Sequence, residues 1–539
     1  MKISMICVED ALMNIGFRKM ASRMKQLNPD TTISYIAYMN YHSFKSIILG
    51  KLGEAPEVKD DIVRRMAEPI ASSDIVAFSS MTGYAPLTRD LIKHVRTINP
   101  NAYIIWGGIH PIIVAEDAIK YADAICTGEG EFAFETFFEA FKNGKDFTKT
   151  NNFWFRTKSG TNGEGSIVKN LFLPLMTNEA MNTMPLPHYG KDEWFYKHGK
   201  GYILLSRDIY VQYNGLGYNT VWSIGCPFKC TYCGNTKFIE NDSKYRTMRH
   251  PSVEYIIQEI KKAQDIHPHI STIIFHDDSF MALPIETLSH FASEYKNQVG
   301  LPFAVYGVIP NYVKEEKFKI LLEAGLNRVR MGIQNGSERI LKFYDRPTPP
   351  VRVMEAAKTI NKFWRFMIPP AYDIILDNPI ETKDDVITNL KFIRELPRPY
   401  TLNVYSLRVI PNTVLEKQMQ EHKLFIDEIS ANYVGVAPTL ANCLVFILAV
   451  FRLPNWLFEY WLDKSQPILS KQKYYPKFLA VCRTVYLVQR GIDHLKFMDF
   501  SVFEGNKMTY LLWKSGFVRF WRESIKRRPN LSRGASHIP

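Results

Sequence analysis

Short apolar runs alternate with amphipathic helical stretches over residues 1–145, and this alternation constrains the fold more than any other feature. Runs with the character of β-strands lie at residues 3–8, 33–38, 75–80, 103–106 and 124–127. Helical stretches between them include residues 87–98 and 132–141. Strands that alternate with helices are typical of a doubly wound parallel sheet. We therefore predict a Rossmann-like α/β domain whose ligand lies at the carboxyl ends of the strands.

The same alternation returns at residues 216–425. Candidate strands occupy residues 220–223, 272–276, 303–308, 328–332, 372–376 and 403–409. Such βα units in series indicate a partial (β/α)6 barrel, whose chemistry belongs at the carboxyl ends of its strands. Residues 146–215 contain scattered glycines and prolines, and we predict that they form a linker between the two domains. Residues 426–539 lose the alternation and are predicted to form a mainly α-helical, apolar and basic region.

The composition is that of a folded, basic protein. Hydrophobic residues make up 46% and charged residues 22% of the chain, which excludes the disordered class. The net charge of +13 suggests an anionic partner, either nucleic acid or an acidic membrane surface. Much of the excess gathers in residues 514–528. A solvated tail is the favoured interpretation of that segment, and we predict no nucleic-acid partner.

The C-terminal region also contains an uncharged run over residues 432–451. A run of ~20 apolar residues can span a bilayer, but this one includes Pro438 and Asn442. We favour a buried helix. The alternative is an interfacial helix, supported by Trp456, Trp461 and the basic tail. The expected localisation is the cytoplasm, with peripheral contact at the inner face of the membrane through this region as the alternative.

Three of the seven cysteines, Cys226, Cys230 and Cys233, lie in one short loop directly after a predicted strand. An odd number of cysteines with three in one loop is not a disulfide framework and fits a reducing compartment. Three thiolates can ligate three irons of a four-iron cluster and leave the fourth iron open to a substrate. Zinc is the competing interpretation, although tetrahedral zinc usually needs a fourth ligand. We predict a single iron–sulfur cluster.

This Cys-x3-Cys-x2-Cys loop, with Tyr232 before its last cysteine, resembles the signature of the radical S-adenosylmethionine superfamily. The resemblance implies one 4Fe-4S cluster whose open iron chelates S-adenosylmethionine. One electron then cleaves that molecule to methionine and a 5′-deoxyadenosyl radical. An electron donor such as flavodoxin or ferredoxin is therefore an expected partner, and Tyr232 is an expected cofactor-binding residue.

Two further barrel segments extend the resemblance. Asp277 and Asp278 end a predicted strand, where acids can accept hydrogen bonds from the ribose or the ammonium group of the ligand. A loop-capping pair is the alternative interpretation. Residues 331–339 resemble the family's G-x-Q-S-G-S-E run. We expect Gln334 and Ser337 of this run to contact the cofactor, with Ser337 also capping the helix that follows.

Glycines and small polar residues follow the strand ends of the N-terminal domain. The candidate cofactor-binding residues there are Ser79, Ser80, Thr82, Gly107, Gly108, His110, Gly128, Glu129 and Gly130. With the barrel, these loops resemble the cobalamin-binding branch of the superfamily, in which the corresponding pieces line a cobalamin pocket. Glycines let a backbone approach a bulky ligand closely. A degenerate domain that has lost its cofactor is the alternative.

The chain lacks the D-x-H-x-x-G string whose histidine ligates cobalt in another kind of cobalamin domain. We therefore expect cobalamin with its own base detached and without an axial histidine from that motif. His110 is expected to order its loop or to meet the cofactor tail, with cobalt ligation as the less favoured role.

Methyl transfer to an unactivated carbon, with cobalamin as the methyl carrier, is the favoured function. The alternative is radical ring closure or carbon–carbon bond formation on a lipid or tetrapyrrole, and a cobalamin or redox sensor is a minor one. RNA methylthiolation is rejected because it needs three cysteines in the N-terminal domain, which has only Cys7 and Cys126. The apolar C-terminal region favours a hydrophobic, lipid-like substrate.

The sequence assigns no catalytic residue and no specific substrate. Tyr306, Tyr372, Asn403 and Tyr405 are predicted to face the cavity of the barrel. Packing and substrate recognition are equally good interpretations of each of these side chains.

Overall fold

Two α/β sheets and a helical C-terminal region make up the protein, as the sequence predicts. The computed structural model describes residues 1–9, 12–37, 58–157, 166–424, 435–463, 474–497, 499–501 and 507–520. The predicted basic tail falls mostly beyond residue 520, outside the described residues. The C-terminal helices pack against the outside of the second sheet and share its apolar core.

The first sheet is doubly wound. Its strands are β1 (Ile3–Val8), β2 (Thr32–Ile36), β3 (Ile75–Ser80), β4 (Tyr103–Gly107), β5 (Ala124–Cys126), β6 (Phe153–Arg156), β7 (Ile167–Lys169), β8 (Glu193–Lys197) and β9 (Gly201–Leu204). Their spatial order is β7-β6-β5-β4-β3-β1-β2-β8-β9. Strands β5, β4, β3, β1, β2 and β8 pair in parallel. The chain order reverses between β1 and β3, which creates a topological switch point where ligands of such sheets bind.

Helices cover both faces of this sheet. They are α1 (Ile15–Leu27), α2 (Asp60–Ile70), α3 (Ala85–Ile98), α4 (Ile109–Ile113), α5 (Ala115–Ala118) and α6 (Glu131–Lys142). Successive strand residues point to opposite faces, and the buried strand residues accordingly divide between two apolar clusters, one on each face. Each cluster packs against its own helices, so the strand ends are held on a rigid platform.

Residues 146–215 differ from the predicted linker. They contribute β6, β7, β8 and β9 to the two edges of the first sheet. They also form α7 (Asn178–Asn182) and α8 (Arg207–Asn214). These strands are three to five residues long. Strands this short carry little periodic signal in a sequence, and they are stabilised here by pairing with an existing sheet edge.

The second sheet is an open barrel of six parallel strands in chain order. They are β10 (Gly217–Thr220), β11 (Thr272–Phe275), β12 (Phe303–Val308), β13 (Leu326–Gln334), β14 (Ala371–Leu376) and β15 (Thr401–Ser406). The first predicted strand, at residues 220–223, is displaced, because β10 ends at Thr220 and the next residues form a loop. The other five strands overlap their predicted positions.

Helices lie outside the strands of the barrel, and most of them bury apolar residues in its core. They are α9 (Asn235–Asn241), α10 (Val253–Ile266), α11 (Ile285–Gln298), α12 (Glu315–Ala324), α13 (Glu338–Phe343), α14 (Pro350–Asn361), α15 (Lys383–Glu395) and α16 (Val414–Glu421). The core contains the outward-facing residues of the strands, such as Val329, Met331 and Tyr372, each fully buried. The opposite, inward-facing residues are left to line the interior of the barrel.

Four helices with defined bounds lie in the described residues of the C-terminal region. They are α17 (Leu440–Val450), α18 (Asn455–Leu462), α19 (Pro476–Lys496) and α20 (Lys507–Lys514). The described part of the uncharged run is α17, whose Cys443, Leu444 and Leu448 are fully buried in the barrel core. The predicted buried helix is therefore confirmed there; residues 432–434 lie outside the described residues. Within the described ranges, no helix has the length and hydrophobicity to cross a membrane.

Candidate cluster and cofactor site

The loop that follows β10 carries all three predicted cluster ligands. The amide of Cys226 donates to the carbonyl of Tyr245 across 3.1 Å, and the amide of Cys233 donates to the carbonyl of Cys230 across 3.0 Å. Desolvation by the surrounding protein raises the pKa of the Cys233 thiol to about 12, and the nearby Cys230 and Cys226 add to that rise. All three cysteines stand within eight residues of one loop.

The donor set around these sulfurs fits a four-iron cluster. Ser279 Oγ donates to Cys226 Sγ across 3.6 Å, and Arg346 Nη1 donates to Cys230 Sγ across 3.7 Å. Such donors stabilise thiolates that hold iron. In the described part of the chain, no three His, Cys, Asp or Glu side chains are arranged to hold a metal ion. In a four-iron cluster each of three cysteines ligates a different iron.

Asp277 and Asp278 have different environments. Asp277 is buried and accepts from the amides of Trp222 and Ser223 across 3.0 and 2.7 Å. It also accepts from the Ser223 hydroxyl, and burial raises its pKa to about 6. Asp278 is exposed, and the Tyr245 hydroxyl donates to it across a long 3.5 Å. Asp277 thus caps the loop before the cysteines, whereas Asp278 is open to a ligand.

The run after β13 is tied to the neighbouring strand's loop. The Ser337 hydroxyl donates to Asp385 Oδ1 across 2.7 Å, and the Ser337 amide donates to Asn335 Oδ1 across 2.8 Å. Ser337 makes no side-chain cap on α13, so the predicted capping contact is absent. Its hydroxyl is committed to Asp385 instead. Gln334 is partly exposed, and its side-chain amide folds back over Gly332.

Arg346 is a site residue that the sequence analysis missed. Its side chain is almost fully buried. In addition to Cys230, Nη1 donates to the Tyr232 hydroxyl across 3.3 Å, and Nη2 donates to the Gly332 carbonyl across 2.6 Å. One guanidinium group therefore links the cluster loop, the predicted aromatic residue and the end of β13. Arg346 is more than 100 residues away in sequence from both Cys230 and Tyr232. No local sequence pattern could therefore have predicted its place in the site.

The loops after β3 and β4 lie side by side next to the switch point of the first sheet, and Ser79 at the end of β3 pairs with Gly107 at the end of β4. Trp106 Nε1 donates to the buried Ser80 hydroxyl across 2.9 Å. The Thr82 hydroxyl is buried and has no hydrogen-bond partner among the described residues. A buried polar atom without a partner is a group that a ligand can satisfy. Thr82 therefore fits a role in holding cobalamin at this edge.

His110 lies inside the domain. It is 1% exposed, Nε2 lies 3.2 Å from Asp117 Oδ2, and the ring packs on Trp106 at a centroid distance of 4.8 Å. Burial lowers the pKa of His110, so the imidazole is neutral near neutral pH. Nε2 and the ring thus help to order the loop, whereas Nδ1 is buried without a hydrogen-bond partner among the described residues, so the role of His110 toward the cofactor stays a prediction.

Gly108 is required by the approach of two protein loops. Its φ is +89°, and a Cβ there would lie 2.8 Å from both the nitrogen and the carbonyl oxygen of Ser80. A Gly108→Ala substitution should therefore lower the free energy of unfolding by about 1–3 kcal/mol and reduce cobalamin retention. Urea titration and the visible absorbance of bound cobalamin measure the two effects.

Gly144 provides the matched control for this prediction. It also has a positive φ, of +62°, but a Cβ there would have no neighbour within 4 Å. Gly144→Ala should destabilise the protein less than Gly108→Ala and leave cobalamin retention unchanged. Equal effects of the two substitutions would show that loop packing at Gly108 is unimportant.

The loop after β5 contacts the barrel through Glu129. Glu129 Oε1 accepts from Arg249 Nη2 across 2.8 Å, and Oε2 accepts from the Met176 amide across 2.8 Å. Arg249 Nη1 donates to the Met176 carbonyl across 2.9 Å. The carboxylate expected at the cobalamin pocket is thus engaged between the domains. Of its neighbours, Gly128 makes room for the Asn152 side chain, and Gly130 precedes α6 with ordinary contacts.

Helix α9 begins directly after the cluster loop. It contacts two loops of the first domain, the one after β4 and the one after β5. A Cβ on Gly234 would lie 3.4 Å from Ile113 Cδ1, at the end of α4. At the other end of α9, Asn241 Nδ2 lies 3.4 Å from the Thr127 carbonyl. Asn412, after β15, donates to the Ile113 carbonyl across 2.8 Å. The cluster loop and the candidate cobalamin loops therefore face each other.

Two family models match the two domains. The radical SAM superfamily model matches residues 220–393, and the B12 binding domain model matches residues 18–138. The first match contains the cysteine loop and strands β11 to β14. The second contains the strand-end loops from Ser79 to Gly130.

Two curated relatives align with about two thirds of the chain. The chain is 24% identical over 378 residues to an uncharacterized methyltransferase of Pyrococcus horikoshii, covering 69% of this chain and 74% of that protein. It is 22% identical over 375 residues to the anaerobic magnesium-protoporphyrin IX monomethyl ester cyclase of Rubrivivax gelatinosus. That match covers 67% of this chain and 59% of the cyclase.

Two solved structures have the same fold. The radical S-adenosylmethionine methyltransferase TsrM from Kitasatospora setae superposes with a TM-score of 0.58 at 14% identity, over 78% of this chain and 76% of TsrM. The cobalamin-dependent S-adenosylmethionine radical enzyme OxsB superposes with a TM-score of 0.59 at 15% identity, over 99% of this chain and 77% of OxsB.

The cysteine loop, the strand-end loops and both family models converge on one set of cofactors. These are one 4Fe-4S cluster, S-adenosylmethionine and cobalamin. The chain therefore combines a radical SAM domain with a B12 binding domain, the combination that the sequence analysis expects of the cobalamin-binding branch, and it is a radical S-adenosylmethionine enzyme.

Proposed function

We propose that this enzyme transfers a methyl group to an unactivated carbon of its substrate. The observation that carries the proposal is the contact of α9 with Ile113 and Thr127, which brings the cluster loop against the cobalamin-binding loops. A substrate at the mouth of the barrel would lie between the two cofactors. When bound, the cluster and S-adenosylmethionine supply hydrogen abstraction, and cobalamin supplies the methyl group.

The chain's own residues support this arrangement by holding the two loops rigid. Arg346 and Ser279 donate to cluster-ligand sulfurs, and Asp277 fixes the backbone just before the cysteines. In the first domain, Trp106 holds Ser80, and His110 is held by Asp117. Fixed loops of this kind keep reacting groups in register, which is a large part of what an enzyme contributes.

Radical ring closure without methyl transfer is the alternative, and the similarity to magnesium-protoporphyrin IX monomethyl ester cyclases favours it. The methyltransferase relative matches a larger share of its own length than the cyclase does. Methyl transfer uses methyl groups stoichiometrically, whereas ring closure releases only 5′-deoxyadenosine and methionine. The two functions can therefore be separated by following the methyl carbon.

The test is anaerobic reconstitution with cobalamin and S-adenosylmethionine labelled in its methyl group, followed by extraction of lipids and small molecules. We expect label in an extracted product, and none when cobalamin is left out. Production of 5′-deoxyadenosine without transferred label would overturn methyl transfer in favour of ring closure.

A hydrophobic, lipid-like substrate and a peripheral membrane contact complete the proposal. The uncharged run that first suggested them is buried as α17, so their support comes from α19. One face of α19 exposes between 40% and 58% of each of six apolar side chains at a spacing of three and four residues. This apolar stripe consists of Phe478, Val481, Val485, Val488, Ile492 and Leu495. The opposite face of α19 packs on α17.

We assign the apolar stripe to an anionic lipid surface, because the exposed Lys477 and Lys496 flank it. The triple variant Val481→Ser, Val488→Ser, Ile492→Ser should have a partition coefficient into phosphatidylserine-containing vesicles that is lower by a factor of about ten or more. Cosedimentation with the vesicles measures this coefficient. Val351→Ser, on α14 at 65% exposure, should not change partitioning. Equal sedimentation of the wild type and the triple variant would overturn the assignment.

A further inference from the structure

The interior of the barrel is lined by polar side chains. Neighbouring parallel strands place residues in register on the same face, and Asp373 of β14 pairs with Gly332 on one side and with Asn403 on the other. Their neighbours along the strands, such as Tyr372, belong to the outer apolar core. The polar ring is defined by Tyr306, Arg330, Asp373, Asn403 and Tyr405 on the strands, with Arg490 reaching in from α19.

Tyr372 consequently does not face the cavity, contrary to the prediction. It is fully buried on the helix side of the sheet. The other three predicted cavity residues, Tyr306, Asn403 and Tyr405, are members of the polar ring. Side-chain alternation along a strand decides this difference, since Tyr372 adjoins Asp373 and must point the other way.

Hydrogen bonds connect the members of the polar ring. Arg330 Nε donates to both carboxylate oxygens of Asp373 across 2.7 and 2.8 Å, and Nη2 donates to the Tyr405 hydroxyl across 2.7 Å. Asn403 Nδ2 donates to Asp373 Oδ1 across 2.9 Å, and Arg490 Nη1 donates to Asn403 Oδ1 across 2.8 Å. The Arg330 guanidinium also lies 5.5 Å from the centre of the Tyr306 ring.

The polar ring remains accessible. The Arg330 side chain is 31% exposed and Asp373 is 15% exposed. No hydrogen bond joins Arg330 Nη1 to another of the residues that the structure describes. Barrels whose interior serves only as core are filled with bulky branched apolar side chains. A connected polar set with an open guanidinium nitrogen has instead the character of a binding site.

The charge of the polar ring is positive. Arg330 and Arg490 bring two positive charges to the ring and Asp373 brings one negative charge; Asp373 pairs with Arg330, whereas Arg490 donates to Asn403. His276, which lies edge-on to Tyr306, stays neutral because desolvation lowers its pKa to about 4. Deeper in the barrel, Arg328 is paired with Asp499 across 2.8 Å. The surplus cation faces the interior, where water is limited and a counter-charge is favourable.

We propose that the polar ring binds an anionic group of the substrate, a carboxylate or a phosphate. Arg330 supplies a planar donor for such a group, and Tyr306 and Tyr405 flank it. The proposal rests on the proposed function in that it makes the substrate of methyl transfer an amphiphile. Its anionic end lies in the barrel, and its apolar part extends toward the mouth and the cofactors.

Equilibrium dialysis of the holoenzyme with octanoate, octyl phosphate and octanol tests this proposal, because the three probes have apolar chains of nearly equal length. We expect the dissociation constant of at least one anion to be lower than that of octanol by a factor of about ten or more. Hydrogen bonds to charged groups contribute enough binding free energy for this difference. The probe that binds more tightly, octanoate or octyl phosphate, identifies the anionic group as a carboxylate or a phosphate.

The double variant Arg330→Gln, Asp373→Asn keeps the polar ring hydrogen-bonded while removing its fixed ion pair, which guards against misfolding. It should lose the preference for the anion and retain octanol binding. Arg352→Gln, which removes a surface arginine of α14 paired with Glu355, should behave as wild type. Octanol binding as tightly as both anions, or an unchanged anion affinity in the double variant, would overturn the proposal.

The outcome is independent of methyl transfer. If no label is transferred in the reconstitution but anion preference depends on Arg330, the proposed function fails and the anionic site stands. If label is transferred while the anion preference is absent, the site assignment fails and methyl transfer stands.

Discussion

The triple variant Cys226→Ala, Cys230→Ala, Cys233→Ala is expected to lose its cluster iron and its ability to cleave S-adenosylmethionine. All three sulfurs lie in one loop, and the charged Arg346 and the Ser279 hydroxyl point donors at two of them. Without thiolates, no protein group remains to hold iron in that loop. Iron content, the visible absorbance of the cluster and 5′-deoxyadenosine release measure the loss, which should reach the background of a protein-free control.

Stability separates this loss from misfolding. The apolar core of the barrel does not depend on the cysteine loop, and Asp277 fixes the start of that loop through Trp222 and Ser223. The iron-free wild type and the triple variant should therefore unfold with midpoints close to one another. If the triple variant unfolds at a much lower midpoint than the iron-free wild type, the three single cysteine variants should be compared with the wild type instead.

Cys443 and Cys482 give the matched control. Both are buried in the C-terminal part of the core, away from the cluster loop. The double variant Cys443→Ala, Cys482→Ala should keep its iron and its cleavage of S-adenosylmethionine. Iron bound at wild-type levels in the triple variant, or its loss in this control, would show that the cluster is held elsewhere.

The parts of the site that are local in sequence could be predicted from it. Cys226, Cys230 and Cys233 are seven residues apart from first to last, and a strand before them and a helix after them sufficed to identify their loop. The doubly wound sheet and the barrel follow from repeated strand–helix alternation, which the fold preserves. Their cofactors follow from the same motifs.

The contacts that join distant segments could not be predicted. Arg346 reaches Cys230 across 116 residues of sequence, and Arg249 reaches Glu129 across 120. Either arginine alone has the appearance of a surface charge. The edge strands in residues 146–215 are similar, since pairing with a sheet edge, and not an intrinsic pattern, gives them their conformation.

The inner face of the barrel was within reach of sequence reasoning. A charged residue inside a barrel strand, such as Arg330 or Asp373, cannot point into the apolar layer between strands and helices without a large desolvation cost. Fixing those two positions as inward would have turned Tyr372 outward by alternation. Residue type alone suggests Tyr372 as a cavity residue, but it does not determine the direction in which a side chain points.

The second large effect is expected where the two domains meet. Arg249→Met should lower the free energy of unfolding by about 2–3 kcal/mol. The Arg249 side chain is 9% exposed, and its two terminal nitrogens bind Glu129 and the Met176 carbonyl. Removing one partner of a fully buried ion pair costs ~3–5 kcal/mol. The smaller value applies here because Glu129 is still 22% exposed.

Methionine preserves much of the apolar stem of arginine, so the substitution tests the guanidinium group and not the packing volume. Glu129→Gln should cost less, because its amide oxygen can still accept a hydrogen bond. A double-mutant cycle between the two positions should give a coupling energy of about 1 kcal/mol or more. Urea titration of all four proteins, without cofactors, measures these free energies.

A solvent-exposed ion pair provides the control. Arg64 and Glu68 of α2 are 67% and 51% exposed, and such pairs contribute little to stability. Arg64→Met should therefore change the free energy of unfolding by less than about 0.5 kcal/mol. If Arg249→Met has an equally small effect, the Glu129–Arg249 pair does not hold the domains together. Lys19 and Glu259, which join α1 to α10 across 3.2 Å, would then be the next pair to test.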